Sequence, residues 1–355
     1  MDKLAKIRLG ITVGDLNGIG MEVIIKTFME AKMTSFCTPI VYGSSRTAGY
    51  HRKALGVTDW SFNFINGASE AHTKRVNLVT VWQDEVNLEL GIASKEVGAY
   101  ALKSLEAAVA DLKAGKIDAL VTAPINKNTI QAENFNFPGH TEYLQQAFGT
   151  KDVLMFLISD RLRVGTLTGH VPLKDVANKL GKEAIMGKLR LMQQSLQLDF
   201  GIRKPRIAVL SLNPHAGDNG LLGDEEQRII KPAIEAASQD GMLVFGPYGA
   251  DGFFGSKLLT QFDAVLGMYH DQVLTPFKAL AFEDGVNFTA GLPIIRTSPD
   301  HGTGYDIAGK NIADPSSFRQ AVFAAIDIAR TRAENIALQA NAIKPQKVKF
   351  EDGDA

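Results

Sequence analysis

The sequence predicts an α/β fold, because short apolar runs typical of buried strands alternate with segments of helical periodicity. Residues 7–13 form such an apolar run and precede a helical segment at residues 21–31. Residues 95–114 have the pattern of an amphipathic helix and lead into an apolar strand at residues 117–122. The length of 355 residues exceeds one usual hydrophobic core and therefore favours two domains.

The first part of the chain repeats this alternation several times. Its predicted elements are strands at residues 7–13, 39–42 and 117–122 and helices at residues 21–31, 45–55 and 95–114. The last of these helices is the clearest, since Leu102, Leu105, Val109 and Leu112 fall on one helical face. Gly115 can end this helix in a left-handed conformation.

The second part shows the same alternation after a predicted hairpin. Residues 153–158 and 163–167 are expected to pair around the polar turn at residues 159–161. The remaining predicted elements are strands at residues 206–210, 242–245 and 264–268 and helices at residues 173–180, 183–198, 224–237 and 316–335. No internal repeat interrupts this order.

The terminal helix has a recognisable start signal. It follows Asp314 and Pro315, where the carboxylate can cap the helix and proline can occupy its first turn. The polar tail at residues 344–355 is expected to be loosely held.

Composition narrows the class of protein. The formal net charge of -1 creates no overall field that would favour nucleic acid or an anionic membrane. No apolar stretch is long enough to span a bilayer, and the first residues lack the apolar core of a signal peptide. We therefore expect a cytoplasmic protein without a membrane or nucleic-acid partner. The single cysteine, Cys37, excludes an internal disulfide and is expected to be a small buried residue.

Three of the seven histidines share one kind of context. His170, His215 and His270 each follow an apolar run and lie in a polar segment. Neutral imidazole is a common ligand of divalent metals, and three such ligands with an open position are typical of a catalytic site. The alternative is three unrelated loop histidines, because no short ligand motif connects them. Asp271 could orient a neighbouring imidazole or be a solvated carboxylate.

The chemistry-bearing loops follow successive predicted strands. Residues 123–127, His170, residues 213–220 and residues 270–272 each come directly after one of these strands. In open α/β sheets, ligands bind outside the carboxyl ends of the strands. We therefore expect these loops to meet at one mouth, which strengthens the metal hypothesis.

The glycine-containing loop at residues 14–20 follows the first strand and opens a helix. Its backbone amides could hold an anion, but its glycine spacing is not that of a Rossmann loop and no Walker lysine follows. A tight strand-to-helix turn is the favoured interpretation. Asp15 could approach a substrate, although its spacing assigns no contact.

Two further segments contain groups suited to an anion. His140 and Thr141 offer oriented donors, although Thr141 could equally cap the following helix. Lys278 and Arg296, with the amide of Asn287 between them in sequence, could grip a phosphate. Residues 302–304 form a glycine-containing turn that permits close approach of backbone to a ligand.

Four ordered motifs give the chain a family resemblance. They are the sequences at residues 139–142, 212–217, 269–272 and 296–303. Together they resemble the 4-hydroxythreonine-4-phosphate dehydrogenase family, the PdxA proteins of vitamin B6 synthesis. The resemblance extends from the first strand to the terminal helix.

The resemblance implies an architecture similar to isocitrate and isopropylmalate dehydrogenases. It comprises two α/β/α domains with a cleft between them, in a homodimer whose active site lies at the subunit boundary. We expect residues 1–135 and 291–355 to form the first domain and residues 136–290 to form the second. Such a fold would explain the missing Rossmann fingerprint.

The resemblance also assigns site residues. Its metal ligands fall on His170, His215 and His270, and its catalytic positions on Asp251 and Lys278. Its substrate-binding positions are His140, Thr141, Lys278, Asn287 and Arg296. It implies NAD or NADP and one divalent metal (Zn, Mg or Co) per site, but no contacts of the nicotinamide cofactor can be assigned.

The implied reaction is oxidation of 4-phosphooxy-L-threonine at C3, followed by decarboxylation to 3-amino-2-oxopropyl phosphate in pyridoxal 5'-phosphate biosynthesis. Departures from the usual motifs in the first loop, at Gly252 and after Gln272 leave threonate or erythronate 4-phosphate as alternative substrates. A zinc-dependent hydrolase and a non-catalytic phosphate-metabolite sensor are the remaining alternatives.

Overall fold

A computed structural model describes residues 6–131, 137–281 and 283–340 of the chain. The polar tail predicted at residues 344–355 lies outside the described residues. In the described part, no helix combines the length and the hydropathy required to cross a membrane.

The described residues contain one twelve-stranded mixed sheet. Its strands are β1 (Ile7–Thr12), β2 (Cys37–Gly43), β3 (Asn63–Ile65), β4 (Asn77–Thr80), β5 (Ala119–Thr122), β6 (Leu154–Ile158), β7 (Arg163–Thr166), β8 (Arg206–Leu210), β9 (Leu243–Tyr248), β10 (Ala264–Gly267), β11 (Val286–Ala290) and β12 (Arg296–Pro299). They lie in the order β3-β4-β2-β1-β5-β12-β11-β6-β7-β10-β8-β9. The predicted α/β class is confirmed.

The strand directions divide the sheet into two parallel blocks. Strands β3, β4, β2, β1, β5 and β12 are mutually parallel, and so are β7, β10, β8 and β9. Between them, β11 pairs antiparallel with both β12 and β6, and β6 and β7 form the predicted antiparallel hairpin. Because three successive reversals separate the blocks, their parallel strands run in opposite senses. The loops of the two blocks therefore leave their strands in opposite directions, although the charge of Lys127, which follows β5, still acts on His170, which follows β7.

Eleven α-helices lie in the described residues. They are α1 (Gly20–Met29), α2 (Met33–Phe36), α3 (Ser45–Ala54), α4 (Lys95–Lys113), α5 (His140–Ala147), α6 (Val176–Lys179), α7 (Lys182–Leu198), α8 (Lys231–Gln239), α9 (Ala250–Phe254), α10 (His270–Leu280) and α11 (Ser316–Ala340). The predicted apolar face of α4 is confirmed, since Leu102, Leu105, Val109 and Leu112 are all buried. Helix α11 packs against β12, β5, β1 and β11 and so covers the junction between the two parallel blocks.

Two predicted helices are shorter or less regular than expected. The helix predicted at residues 173–180 is a 3-10 turn, Leu173–Asp175, followed by the single turn α6, because only Val176 supplies a buried apolar contact. The helix predicted at residues 224–237 begins as a π turn, Glu226–Ile230, before α8. Pro232, in the first turn of α8, lacks the N–H that a regular α-helix would use there.

Two local predictions are confirmed by their contacts. The Asp314 carboxylate accepts a hydrogen bond from the backbone N–H of Ser316 at 2.7 Å, which caps α11. Hydrogen bonds from the side chain and then the backbone of Ser316 lower the pKa of Asp314. Cys37 is fully buried, and burial raises the pKa of its thiol to about 12. A protonated, inaccessible thiol is not a nucleophile.

Candidate active site

A cavity of about 300 Å³ lies beside the carboxyl ends of β5 and β12. Its lining includes four of the five predicted substrate-binding residues, namely His140, Lys278, Asn287 and Arg296. Thr141, the fifth, is not part of this lining. A larger cavity of about 520 Å³ between α7 and α11 contains none of the predicted site residues.

Arg296 is the first residue of β12 and is only 4% exposed. Its Nε and Nη2 donate to the Thr122 hydroxyl at 3.0 and 2.7 Å, and Nη1 lies 3.5 Å from the Thr289 hydroxyl. Burial lowers the pKa of Arg296 to about 10, so the guanidinium remains charged at neutral pH. Within the described ranges, no carboxylate forms an ion pair with it. A buried cation without such a partner favours an anionic ligand.

His140 is buried beside Arg296, and their contact determines its tautomer. The Arg296 Nη2 lies 3.3 Å from the His140 Nδ1. Because a guanidinium can only donate, Nδ1 accepts and Nε2 carries the proton. Burial, with the charges of Arg296 and Lys127, holds the pKa of His140 well below its usual value. The buried Nε2–H has no hydrogen-bond partner in the part of the chain that the structure describes, which makes it a donor available to a ligand.

The start of α5 decides between the two interpretations of Thr141. Gly139 is the N-cap residue, and α5 begins at His140, so Thr141 is already the second helical residue. The interpretation of Thr141 as the helix cap is therefore wrong. His140 occupies the first turn instead, where the helix N-terminus favours a nearby anion.

Lys278 connects the two parallel blocks at the cavity. It lies in the last turn of α10, and its ammonium is 3.4 Å from the carboxylate of Asp300, which follows β12. Burial raises the pKa of Asp300, and the charge of Lys278 partly opposes this shift. Residues after β10 and after β12 therefore contribute to one site, although their strands run in opposite senses.

Sequence reasoning placed two further side chains of this lining in informative segments but gave neither of them a role. His301 directs Nδ1 to the Gly302 carbonyl at 2.9 Å, and burial lowers its pKa. Its buried Nε2 is therefore an acceptor, and it has no hydrogen-bond partner among the described residues. Lys127 also lines the cavity, and its charge lowers the pKa of both His140 and His170. The position of Lys127 directly after β5 is the signal that placed it among the chemistry-bearing loops.

Two of the three predicted metal ligands lie together. The imidazole centroids of His170 and His270 are 5.6 Å apart. Burial is the main cause of the lowered pKa of His170, followed by the charges of Lys127 and His270, so His170 stays neutral at neutral pH. The His270 Nδ1 lies 2.6 Å from the Asp271 carboxylate, which can orient the ring and leave Nε2 for a metal.

His215 lies in an unusual turn beside Asp251. All five residues from 215 to 219 have positive φ, and four of them are not glycine. Each such non-glycine residue costs about 1–2 kcal/mol. Asp251 and His215 both flank Gly249. A Cβ built on Gly249 would be 3.4 Å from the Asp251 carboxylate and 3.9 Å from the His215 Cα.

The donor atoms of the His170 and His270 pair fit a divalent metal, but the predicted triad is not assembled in one chain. Among residues 6–131, 137–281 and 283–340, no three His, Cys, Asp or Glu side chains lie close enough to hold a metal ion. The structure thus brings two of the ligands together and does not add His215 to them.

The first loop is a tight turn with a buried carboxylate. Asp15 is 1% exposed and accepts hydrogen bonds from the Asn17 N–H at 2.9 Å, the Tyr305 hydroxyl at 2.7 Å and the Thr129 hydroxyl at 3.3 Å. Gly14 has a φ of 68°, which confirms the tight-turn interpretation. The carboxylate of Asp15 ties together three loops around the cavity and is already hydrogen-bonded within the protein.

Replacing Tyr305 with phenylalanine should destabilise the protein by about 1–3 kcal/mol, because a buried carboxylate loses a hydrogen bond. Burial and the Asp15 carboxylate raise the pKa of Tyr305 to about 12, so the hydroxyl remains a donor at neutral pH. Urea unfolding measures the change, and Tyr50→Phe on the exposed surface is the control. Equal unfolding free energies for Tyr305→Phe and wild type would contradict this role.

The family model for the pyridoxal phosphate biosynthetic protein PdxA matches residues 35–325 of this chain. The chain is 53% identical over 342 residues to the 4-hydroxythreonine-4-phosphate dehydrogenase of Bacteroides thetaiotaomicron, covering 96% of this chain and 94% of that protein. It is 40% identical over 329 residues to the D-threonate 4-phosphate dehydrogenase of Cupriavidus necator, covering 92% and 98%. The crystal structure of 4-hydroxythreonine-4-phosphate dehydrogenase from Klebsiella pneumoniae matches with a TM-score of 0.81 at 34% identity, covering 93% and 99%.

The twelve-stranded sheet gives a mixed α/β fold, and the relatives named as dehydrogenases identify its class as that of an enzyme. Its similarity to the crystal structure extends over almost all of both chains, so the fold is shared as a whole. The chain belongs to the PdxA family. The family resemblance found in the four sequence motifs is confirmed.

Proposed function

We propose that the protein oxidises 4-phosphooxy-L-threonine at C3 with NAD or NADP, in the synthesis of pyridoxal 5'-phosphate. The cavity around Arg296 carries this proposal, because a buried cation that has no carboxylate ion pair among the described residues lies beside His140, whose Nε2–H has no hydrogen-bond partner there either. Lys278 and Asn287 complete a set of donors suited to a phosphate. The 53% identical relative, named a 4-hydroxythreonine-4-phosphate dehydrogenase, supports this choice of substrate.

D-threonate 4-phosphate is the second candidate substrate, since a 40% identical relative is named for it. Both candidates carry a phosphate on C4 and a hydroxyl on C3, and they differ in the group on C2. Arg296 and His140, which we assign to the phosphate, would therefore bind either compound.

We assign the metal to His170, His215 and His270, in a homodimer whose active site lies at the subunit boundary. A divalent metal bound there would lower the pKa of the C3 hydroxyl and polarise the resulting carbonyl. His170 presents a neutral imidazole, and Asp271 orients the ring of His270. His215 would complete this set on assembly of the dimer, since the set is not complete within one chain.

Asp251 and Lys278 would carry out the two proton transfers of the reaction. Asp251, which flanks Gly249 with His215, would accept the hydroxyl proton as the hydride on C3 passes to the nicotinamide. The product is a β-keto acid, whose C1–C2 bond breaks to release carbon dioxide and leave an enolate. Lys278, ion-paired with Asp300, would donate the proton that C2 requires. The final product is 3-amino-2-oxopropyl phosphate.

An absorbance assay of nicotinamide reduction tests the proposed function. Metal-stripped protein would receive 4-phosphooxy-L-threonine, threonate 4-phosphate or erythronate 4-phosphate, each with NAD or NADP and with Zn, Mg or Co restored in turn. We expect the fastest reduction with 4-phosphooxy-L-threonine. Release of phosphate without nicotinamide reduction would indicate a hydrolase, and binding without turnover would indicate a sensor.

Replacing His140 with phenylalanine should raise KM for the phosphorylated substrate by roughly 10- to 100-fold, because a hydrogen bond to a charged group is lost. His140→Gln, which keeps an N–H donor, should lose less. Since burial and neighbouring cations hold the pKa of His140 well below its usual value, its protonation should not affect kcat/KM around neutral pH. Steady-state kinetics of both variants measure the effect, and equal KM values for wild type and His140→Phe would contradict it.

A further inference from the structure

We infer that Glu226 is a positioning residue that fixes the strained turn bearing His215; the inference rests on the metal role proposed for His215. Glu226 is fully buried at the start of the π turn before α8. In the described part of the chain, no lysine, arginine or histidine forms an ion pair with its carboxylate.

The Glu226 carboxylate instead accepts hydrogen bonds from the segment that precedes the turn. Its Oε1 accepts hydrogen bonds from the backbone N–H groups of Leu212 and Asn213, both at 2.8 Å. Its Oε2 accepts from the Asn213 side-chain amide at 3.0 Å. These donors lie two and three residues before His215, so Glu226 holds the backbone at the entrance to the turn.

The Glu226 carboxylate also restricts the size of the residue at position 217, in the middle of the turn. A Cβ built on Gly217 would be 2.7 Å from the Glu226 Oε2 and 2.7 Å from the Gly223 carbonyl oxygen. Gly217 has a φ of 79°, in the region that favours glycine. The turn therefore packs directly against Glu226 at its middle as well as at its entrance.

A run of left-handed residues persists only where its surroundings over-determine it. The turn closes through its own backbone, from Leu221 N–H to the Asp218 carbonyl and from Leu222 N–H to the Gly217 carbonyl. Glu226 supplies the contacts from outside the turn. Because its hydrogen bonds go to the segment that precedes His215, Glu226 acts through the placement of His215.

Glu226→Gln should weaken this anchor while keeping size and burial similar. Asn213 donates to both Glu226 and Glu225, the latter at 2.7 Å. A new amide at position 226 would place its NH2 against the Asn213 amide, and flipping Asn213 would turn its oxygen towards Glu225. We expect metal affinity to fall roughly 10- to 100-fold, as for residues that orient metal ligands elsewhere.

The test measures Co²⁺ binding to metal-stripped, full-length protein by its visible absorption, which reports the number and geometry of ligands. Wild type, His215→Ala, Glu226→Gln and Gly217→Ala are compared, with Glu235→Gln on the exposed face of α8 as the charge-matched control. Circular dichroism and thermal unfolding establish which variants fold. Gly217→Ala disturbs the turn at its contacts with Glu226 and with the Gly223 carbonyl, and it tests whether the turn places His215 if Glu226→Gln does not fold.

The inference predicts weaker Co²⁺ binding and an altered spectrum for folded Glu226→Gln or Gly217→Ala, with a fall in kcat larger than the change in KM. Glu235→Gln should match wild type. Wild-type Co²⁺ affinity in folded Glu226→Gln and Gly217→Ala, with binding lost in His215→Ala, would overturn the role of Glu226 alone. Unchanged Co²⁺ binding in His215→Ala would overturn both the metal assignment and this inference.

Discussion

Replacing Arg296 with methionine is expected to reduce kcat/KM by about 3 kcal/mol, or roughly 100-fold, mainly through KM. Arg296 is buried, charged at neutral pH and without a carboxylate partner in the described structure, so its charge is available to the substrate phosphate. Methionine fills a similar volume and removes the charge, which should leave the fold intact. Steady-state kinetics and the Kd of inorganic phosphate, measured by calorimetry, check the result.

Two further variants test whether the loss of kcat/KM is specific to the charge and donor geometry of Arg296. Arg296→Lys retains a charge but not the fork of donors that holds the Thr122 hydroxyl, so it should recover only part of the loss. Arg190→Met removes an exposed guanidinium that pairs with Asp240 and should leave kinetics unchanged. Phosphate binding by Arg296→Met as tight as by wild type would contradict the assignment of Arg296 to the phosphate.

Replacing His215 with alanine is expected to remove metal-dependent turnover, with kcat lowered by about 1000-fold, because a metal contributes several kcal/mol to stabilising developing charge. The fold should remain, since the side chain of His215 lies at the surface of a turn and contributes no core contact. Metal analysis of the purified protein and nicotinamide reduction with each restored metal measure the two consequences separately.

His72→Ala is the matched control for this substitution. His72 is exposed, lies outside the cavity lining and should be replaceable without effect on metal content or turnover. If His215→Ala kept both its metal and its turnover, the ligand assignment would be wrong even if the protein is a dehydrogenase.

Hydrophobic periodicity could predict the helices and strands that have an apolar face. The hairpin of β6 and β7 and the long helix α4 follow directly from their patterns. Strand β12 could not be found in this way, because it reads Arg-Thr-Ser-Pro and its polar side chains are nevertheless buried. Its place in the sheet depends on pairing with β5 and β11, which are distant in sequence.

The sequence indicated which residues belong to the candidate site, but it did not indicate how they lie relative to one another. Family motifs supplied His140 and Arg296, whereas the contact that fixes the His140 tautomer joins residues 156 positions apart. The reversal of strand direction at β11 was also invisible in the sequence, which therefore could not show that the loops of the two parallel blocks leave their strands in opposite directions. Glu226 gave no signal, since an acidic residue in a helical segment is usually solvated.

The most direct test of a metal-dependent oxidation followed by decarboxylation is the stoichiometry of its products. Metal-stripped protein would be mixed with carboxyl-labelled 4-phosphooxy-L-threonine and NAD or NADP, and reduced nicotinamide and labelled carbon dioxide would be measured before and after a divalent metal is restored. The proposed function predicts equal amounts of both products, formed only once the metal is present. Equal formation of both without the metal, or carbon dioxide without reduced nicotinamide, would contradict it.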